Sequence, residues 1–263
     1  MNDDENFVKF LGTAGARFVV MRQLRASGGL WFRLDGISFL VDPGPGTLVR
    51  ATASKPKLDP ADLSAIILSH RHLDHSNDVN IMIEAMTNGG FAPKGLLIAP
   101  EDALTGDEPI VFRYLRSFLS RIEVMKEGGK YELPPIVIET PVRHHHQGMT
   151  YGLNISYSGG TISYIPDTLF FPELTRHYRG NTLIINTVRL KPNPPDKPGI
   201  MHLNLEDAKR IIAEVKPDRA VLTHFGMTMI RAKPWQIAEK LSEELGIKVI
   251  AAGDGLKLPL PFK

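Results

Sequence analysis

Ten residues, SHRHLDHSND at positions 69–78, hold three histidines and two aspartates. Within them the pattern His-x-His-x-Asp-His places His70, His72, Asp74 and His75 in six positions. Imidazole nitrogens and carboxylate oxygens suit zinc, and also manganese or iron. In an extended segment His70 and His72 project to the same side, because strand side chains alternate with period two. A bend into a helix near Asp78 then presents Asp74 and His75 to a second point. Four ligand-type residues from one loop exceed what one tetrahedral ion takes, so the pattern predicts two ions sharing a site. Read instead as a plain polar loop, the stretch would cap a helix through Asp74 or Ser76.

Three later places offer the same chemistry. VRHHHQ carries His144, His145 and His146. If that segment is a strand, His144 and His146 share a face and His145 opposes them. One of the two is then a ligand and the other a contact behind the ligands or to substrate. SYIPDT puts Asp167 just past a buried strand, and VLTHFG does the same for His224. Taken singly, such an Asp is a cap and such a His is structural.

Basic residues lie near the same loops. Arg71 sits inside the motif, Arg25 precedes Ser27-Gly28-Gly29, and Arg189 precedes Lys191. Guanidinium groups suit phosphate or carboxylate, although ordinary surface charge accounts for them equally. The proline-rich stretch 189–202 excludes helix and central strand. It is predicted to be a long loop walling the pocket.

The elements that must position these residues are legible in the pattern. FVKFLG (7–12), LWFRL (30–34) and ISFLVD (37–42) read as strands, the last two joined by Asp35-Gly36, a strong hairpin signal. DPGPGT turns the chain and opens a helix near Thr47. Asp59 is a cap candidate with Pro60 at the first helical position. SAIILSH is a buried strand that delivers the histidine motif. Val79, Met82, Ile83 and Met86 follow with helical spacing, and VFRYLRSFL (111–119) predicts another helix. GLLIAP, RIEVM, IVIETPV, YGLNISY, TISYIPD, TLIINT, RAVLTH and IKVIAA read as strands. LNLEDAKRIIAEV (203–215) and PWQIAEKLSEEL read as helices, the first capped by Asn204 with Asp207 three residues on. Strands dominate the first half, and β-α alternation follows in the second.

With 263 residues and 43% hydrophobic content, the chain can bury a substantial core as one domain spanning 1–263. Lys+Arg 31 against Asp+Glu 29 leaves a net charge of +2, which is no nucleic-acid footprint over the chain as a whole. The chain has no cysteine, which excludes disulfides, cysteine-ligated zinc and thiol catalysis. Any metal must then be held by His, Asp or Glu. MNDDENFVKF lacks the basic and apolar regions of a signal peptide, and no stretch approaches the roughly 20 apolar residues of a spanning helix. A cytoplasmic protein, off the membrane, is expected.

The ordered set of motifs resembles the metallo-β-lactamase superfamily in its tRNase Z-like and phosphodiesterase branches. FLGTAGA is similar to the opening Leu-Gly-Thr turn of that family, and LVDPGPGT to its Asp-x-Gly-x-Gly-Thr turn. HHHQGMTYGL resembles the segment in which the ligand His stands six residues before the Gly of Tyr-Gly, which selects His146. IPDT resembles the Gly-Asp-Thr that carries a bridging aspartate. The likeness covers nearly the whole chain. It implies an α/β fold, the four-layer αββα sandwich, with the site at one edge between two sheets. By the same resemblance His70, His72 and His146 hold one metal, Asp74, His75 and His224 the other, and Asp167 bridges both. Asp42 lies behind the ligands and orients them. His202, heading a helix 22 residues before His224, is implied as general acid.

Two departures limit the likeness. His146 to Asp167 spans 21 positions, which leaves no room for the long arm that tRNase Z uses to grip RNA. The Ser-x-Arg-Tyr-type sequence after the last ligand is also missing. The expectation is a dinuclear hydrolase using a metal-bridging hydroxide, formed near neutral pH, on a phosphodiester. Asp74 doubles as proton acceptor. Hydrolysis of an ester, thioester or lactone on the same site is the alternative, as is an RNA-processing nuclease related to tRNase Z. The expected cofactors are two divalent ions, zinc before manganese or iron. The expected partner is a small or short anionic substrate. The charge and the missing arm argue against nucleic acid, and a homo-oligomer stays open.

Overall fold

The computed structural model describes residues 5–193 and 199–261. Residues 194–198 of the predicted proline-rich loop therefore lie outside the described residues. Two seven-stranded sheets face each other. The first contains β1 (Phe7–Phe10), β2 (Leu30–Leu34), β3 (Ile37–Val41), β4 (Leu63–Ile67), β5 (Leu96–Pro100), β6 (Arg121–Met125) and β14 (Lys257–Pro259), in the order β14-β1-β2-β3-β4-β5-β6. The second contains β7 (Gly129–Leu133), β8 (Ile136–Thr140), β9 (Leu153–Tyr157), β10 (Gly160–Ile165), β11 (Thr182–Asn186), β12 (Arg219–Thr223) and β13 (Lys248–Ala251), in the order β13-β12-β11-β10-β9-β8-β7. The pairings from β14 to β3 and from β7 to β10 are antiparallel, and those from β3 to β6 and from β10 to β13 are parallel.

Strand alternation builds three apolar layers. Phe10, Phe32, Phe39 and Ile67 of the first sheet meet Ile155, Tyr164, Ile184 and Val221 of the second. Their neighbours Trp31, Leu40 and Ile66 turn outward against Val79, Met82, Ile83 and Met86 of α4 (Val79–Met86). Leu183, Ile185 and Leu222 turn outward against α6 (Leu205–Val215) and α8 (Pro234–Leu245). The other helices are α1 (Ala16–Met21), α2 (Thr47–Ala53), α3 (Leu73–Ser76), α5 (Glu101–Leu104) and α7 (Met227–Arg231). This is the expected αββα sandwich. Among the described residues no helix is long and apolar enough to cross a membrane.

Local signals behave as their chemistry dictates. Asp35 and Gly36 both take positive φ (48° and 79°), as a tight right-twisted hairpin requires. Asn204 and Asp207 form a reciprocal capping box on α6. Asp59 accepts from Ala61 N, and Pro60 opens a 3-10 turn. Among the elements read from the sequence, one takes a different form. The predicted helix over 111–119 is a 3-10 segment, Arg113–Phe118. Only Leu115 is buried in it, so the apolar stripe that would hold a full α-helix against the sheet is missing.

Candidate metal centre

The ligand-type residues converge because the topology sends them to one place. In open α/β sheets, ligands gather beyond the carboxyl ends of parallel strands. Asp42 follows β3, His70 follows β4, Asp167 follows β10 and His224 follows β12, all members of parallel pairs. His72 caps the short helix α3, which carries Asp74 and His75. His146 arrives from the loop between β8 and β9 and turns its Nε2 to 3.1 Å from His72 Nδ1.

Three overlapping groups result: His70, His72 and His146; His70, His75 and Asp167; Asp74, His75 and His224. Within each group the ligand atoms lie within 4.8 Å of one another. Asp167 Oδ2 stands at the middle, 3.9 Å from His70 Nε2, 3.5 Å from His75 Nε2 and 3.9 Å from His146 Nε2. Asp167 Oδ1 lies 3.5 Å from His224 Nε2, and that nitrogen is also 3.5 Å from Asp74 Oδ2. His202 Nδ1 closes the ring at 3.5 Å from Asp167 Oδ2.

Burial sets the charge states. Desolvation pushes His70 well below the usual histidine range, with the neighbouring His75 adding to it. It also brings His146 down to about 4, so both imidazoles keep their lone pairs at neutral pH. Burial would lower His75 too, but Asp42, Asp74 and Asp167 hold it well above its ordinary value. Burial would raise Asp167, yet His224 and His202 keep its carboxyl well below the carboxylate range. An anionic carboxylate is thus surrounded by imidazoles in a dry setting.

This set fits divalent cations. His70 Nε2 is fully buried and has no hydrogen-bond partner. Buried polar atoms are otherwise paired, so an orphan aimed into a cluster of lone pairs calls for a ligand. His75 Nε2 and His224 Nε2 also face each other at 3.3 Å, nitrogen to nitrogen. A divalent cation there would take the place of the proton that the two nitrogens otherwise share.

The cage is held from behind. Asp42 Oδ2 binds His75 Nδ1 at 2.9 Å, accepts from Ser69 Oγ at 2.7 Å and accepts from Tyr164 at 3.0 Å. Ser69 Oγ also meets His70 Nδ1 at 3.0 Å. Asn186 Nδ2 donates to Asp167 Oδ1, and the Met201 carbonyl takes His146 Nδ1 at 2.8 Å. Contacts of this kind fix the ring orientation of a metal ligand. Asp42 and His224 both hold left-handed backbone, φ 54° and 57°, which costs on the order of 1 kcal/mol each. Two glycines let the flanking loops press close. A Cβ on Gly44 would lie 2.1 Å from the Asp74 carbonyl, and one on Gly15 would lie 2.1 Å from that of His224. The turns LVDPGPGT and FLGTAGA therefore serve the ligand loops directly.

The three consecutive histidines separate, though not by strand alternation. Residues 144–146 are not in a strand, so the expected shared face of His144 and His146 does not form. His144 turns away from the cluster, bonding Tyr178 at 2.6 Å and approaching the Asp167 carbonyl at 3.3 Å. Its burial brings it down to about 3. His145 is exposed and stacks on Phe171 with centroids 4.2 Å apart. A cavity of about 470 Å³ opens beside His146, walled by Arg143, His145, Phe171 and Met201.

The arginines do not join the cluster. Arg189 Nε donates to the Lys191 carbonyl at 3.3 Å, and the Arg189 backbone pairs with Asn204. Arg71 reaches the Glu108 carbonyl, and Arg25 lies over the Phe225 ring while bonding Thr13 and Ala252. Sequence reasoning missed Ser69, Tyr164, Tyr178 and Asn186. Only Ser69 carried a signal, as the residue between a buried strand and the first histidine.

Residues 38–225 match the sequence model of a family described as the beta-lactamase superfamily domain. The chain is 32% identical over 256 residues to the uncharacterized protein MJ1374 of Methanocaldococcus jannaschii, covering 95% of this chain and 94% of that one. It is 24% identical over 255 residues to a ribonuclease Z of Mycobacterium marinum, covering 88% and 91%. The metallo-β-lactamase fold protein YhfI from Bacillus subtilis superposes with a TM-score of 0.79 at 19% identity, covering 97% of this chain and all of that one. The chain belongs to the beta-lactamase superfamily, in its metallo-β-lactamase form, and is a metal-dependent hydrolase.

Proposed function

We propose that this protein hydrolyses a phosphodiester. His70, His72 and His146 would hold one divalent ion, Asp74, His75 and His224 a second, and Asp167 would be shared. Zinc is the expected metal, since three neutral imidazoles with carboxylate oxygens suit it best. The observation that carries the reading is the position of Asp167 Oδ2, 3.5–3.9 Å from nitrogens of His70, His75, His146 and His202. The similarity to a ribonuclease Z supports a phosphoester over a carboxylic ester. When bound, such ions acidify water and neutralise charge that grows on a phosphoryl oxygen.

The chain's own groups supply the rest. Asp74, partly exposed beside His224, is placed to accept the proton of the attacking water. Burial would lower His202, but Asp167 and Asp74 raise it above its ordinary value. Its Nδ1 faces Asp167 Oδ2 at 3.5 Å, and its ring sits 5.1 Å from that of His146. It is therefore placed to hold a proton near the leaving oxygen. The cavity beside His146 supplies the room for the departing group.

Metal analysis of the purified protein and turnover of bis(p-nitrophenyl) phosphate test this reading. Two ions per chain and turnover restored by zinc or manganese after chelation are expected. Preference for a thioester or lactone across a matched panel would replace the substrate assignment. In His202→Ala, normal turnover with full metal would remove that residue from the mechanism.

A further inference from the structure

The strand FVKF contains an anomaly. Phe7, Val8 and Phe10 are at most 3% exposed, and Lys9 between them is only 5% exposed. Alternation points Lys9 with Phe7 and Leu11 to the outer face of the first sheet, beneath α2. The side chain is largely covered, its Nζ reaches the Lys55 carbonyl, and the residue lines a cavity of about 340 Å³. Arg50, from the last turn of α2, and Lys55, just past it, line the same cavity.

Little in the protein neutralises these three cations. Lys9 Nζ donates to the Lys55 carbonyl at 3.1 Å, which uses one of three protons. Among the described residues, none of the three is in an ion pair. The carboxyl end of α2 contributes roughly half a negative charge. Among the described residues Asp254 is the one carboxylate lining the cavity, and its oxygens are turned to neutral donors rather than to the three cations. Its Oδ1 accepts from Thr13 N and Thr13 Oγ1 at 2.9 and 2.7 Å, and its Oδ2 accepts from Ala26 N at 2.7 Å. Burial, and then the neighbouring Lys257, pull the Lys9 ammonium below its ordinary range. A bound anion would relieve both effects.

We infer that this cavity is a binding site for a phosphate-class oxyanion, separate from the metal centre. None of its lining residues belongs to the His/Asp cluster. Lys9 contributes two free donors from a fixed position, and Arg50 contributes a planar fork suited to a tetrahedral oxyanion. The floor is apolar Leu11, and the rim is the Asp254-Gly255 turn. The site has a mechanical link to the metal centre. Asp254 holds Thr13, whose carbonyl takes Phe225 N at 2.8 Å, next to His224.

The test is thermal unfolding of the metal-loaded protein against increasing inorganic phosphate, for the wild type and for Lys9→Met, Arg50→Ala and Lys55→Ala. A ligand that binds only the folded state raises Tm with the logarithm of its concentration. The wild type should gain on the order of a few degrees per tenfold phosphate above Kd. Lys9→Met and Arg50→Ala should each need about 10- to 100-fold more phosphate for the same gain. Phosphate also competes at the metal centre, so its inhibition constant against bis(p-nitrophenyl) phosphate is measured in parallel. That constant should not move in the three variants. A stabilisation identical in all four proteins overturns the site. So does a loss that tracks the inhibition constant. Arg50 and Lys55 are exposed, so their variants decide the matter even if Lys9→Met does not fold. The Tm readout needs no turnover, so failure of the proposed hydrolysis is distinguishable. Glycerol phosphate binding more tightly than inorganic phosphate would identify the phosphoryl end of a larger molecule as the natural occupant.

Discussion

The two sheets are tied by polar groups at both ends of their strands, and the two ends differ in what is left unpaired. At one end the turn after β2 meets the turn after β9. Asp35 accepts from Ser158 N at 2.8 Å, from the Ser158 hydroxyl and from Asn6 Nδ2, while Asn6 Oδ1 takes Asp35 N at 2.7 Å. That set is closed and lies near solvent. At the other end, beyond β3 and β10, Asp42 and Asp167 gather five histidines, and His70 Nε2 has no partner. A closed polar set only joins the sheets. An open buried set costs stability unless something else completes it, and that is where chemistry is expected.

Asp167→Asn probes the difference most strongly. The substitution keeps size and removes the anion that lies 3.5–3.9 Å from His70, His75, His146 and His224. Turnover and bound metal should fall together, by more than the roughly 10- to 100-fold typical of outer contacts. Asp35→Ala should leave both unchanged. Metal content by mass spectrometry, with bis(p-nitrophenyl) phosphate turnover, reads the pair. Equal losses in the two variants would erase the distinction between the ends.

Asp42→Ala comes next. It removes the group that orients His75 and, through Ser69, His70. Metal affinity should weaken by about 10- to 100-fold, measured by competition with a chelating dye. An unchanged affinity would mean that packing alone holds the rings.

Tyr178→Phe should cost stability more than activity. It leaves His144 Nε2 buried without its 2.6 Å partner, a loss of about 1–3 kcal/mol. His144 also has a pH signature. Its value falls to about 3 in the fold, below the unfolded value of about 6.5. Between those limits the unfolded chain binds the extra proton, so its contribution to stability declines as pH falls from 6.5 towards 3. His144→Gln should therefore gain on the wild type over that window in urea titrations of chelated protein. Parallel pH curves would mean that His144 is not held neutral.

What was legible in the chain follows the same division. The candidate ligands were legible as the motif at 70–75 and as His and Asp at strand ends, and their assignment to two ions came from the family resemblance. The hairpin at Asp35-Gly36 and the cap at Asn204 were legible because turn and cap chemistry is local. The orientation of His144 was not, since it depends on an irregular segment where alternation has no force. Tyr164, Tyr178 and Asn186 come from separate elements, and only tertiary packing brings them to Asp42, His144 and Asp167. The short helices α1, α3, α5 and α7 and the three-residue β14 were not legible, because so few residues leave little periodicity to read, and neither was β7, whose GKYEL is largely polar.

The smallest effect belongs to the closed end. Burial would raise the Asp35 carboxyl, but the hydrogen bonds from Ser158 and Asn6 bring it below its ordinary value. A carboxylate lowered in the fold stabilises above its unfolded value, near 3.9, and that contribution is lost as pH falls through the folded value. Screening at this exposed turn limits Asp35→Ala to a few tenths up to about 1 kcal/mol at neutral pH. The deficit should shrink towards zero in acid, while metal content and turnover stay at wild-type levels. Urea midpoints of Asp35→Ala and wild type at pH 7 and pH 3 decide it. A deficit that persists in acid would assign the turn's contribution to backbone geometry rather than to the carboxylate, because Asp35 holds a left-handed φ of 48° that alanine tolerates less well.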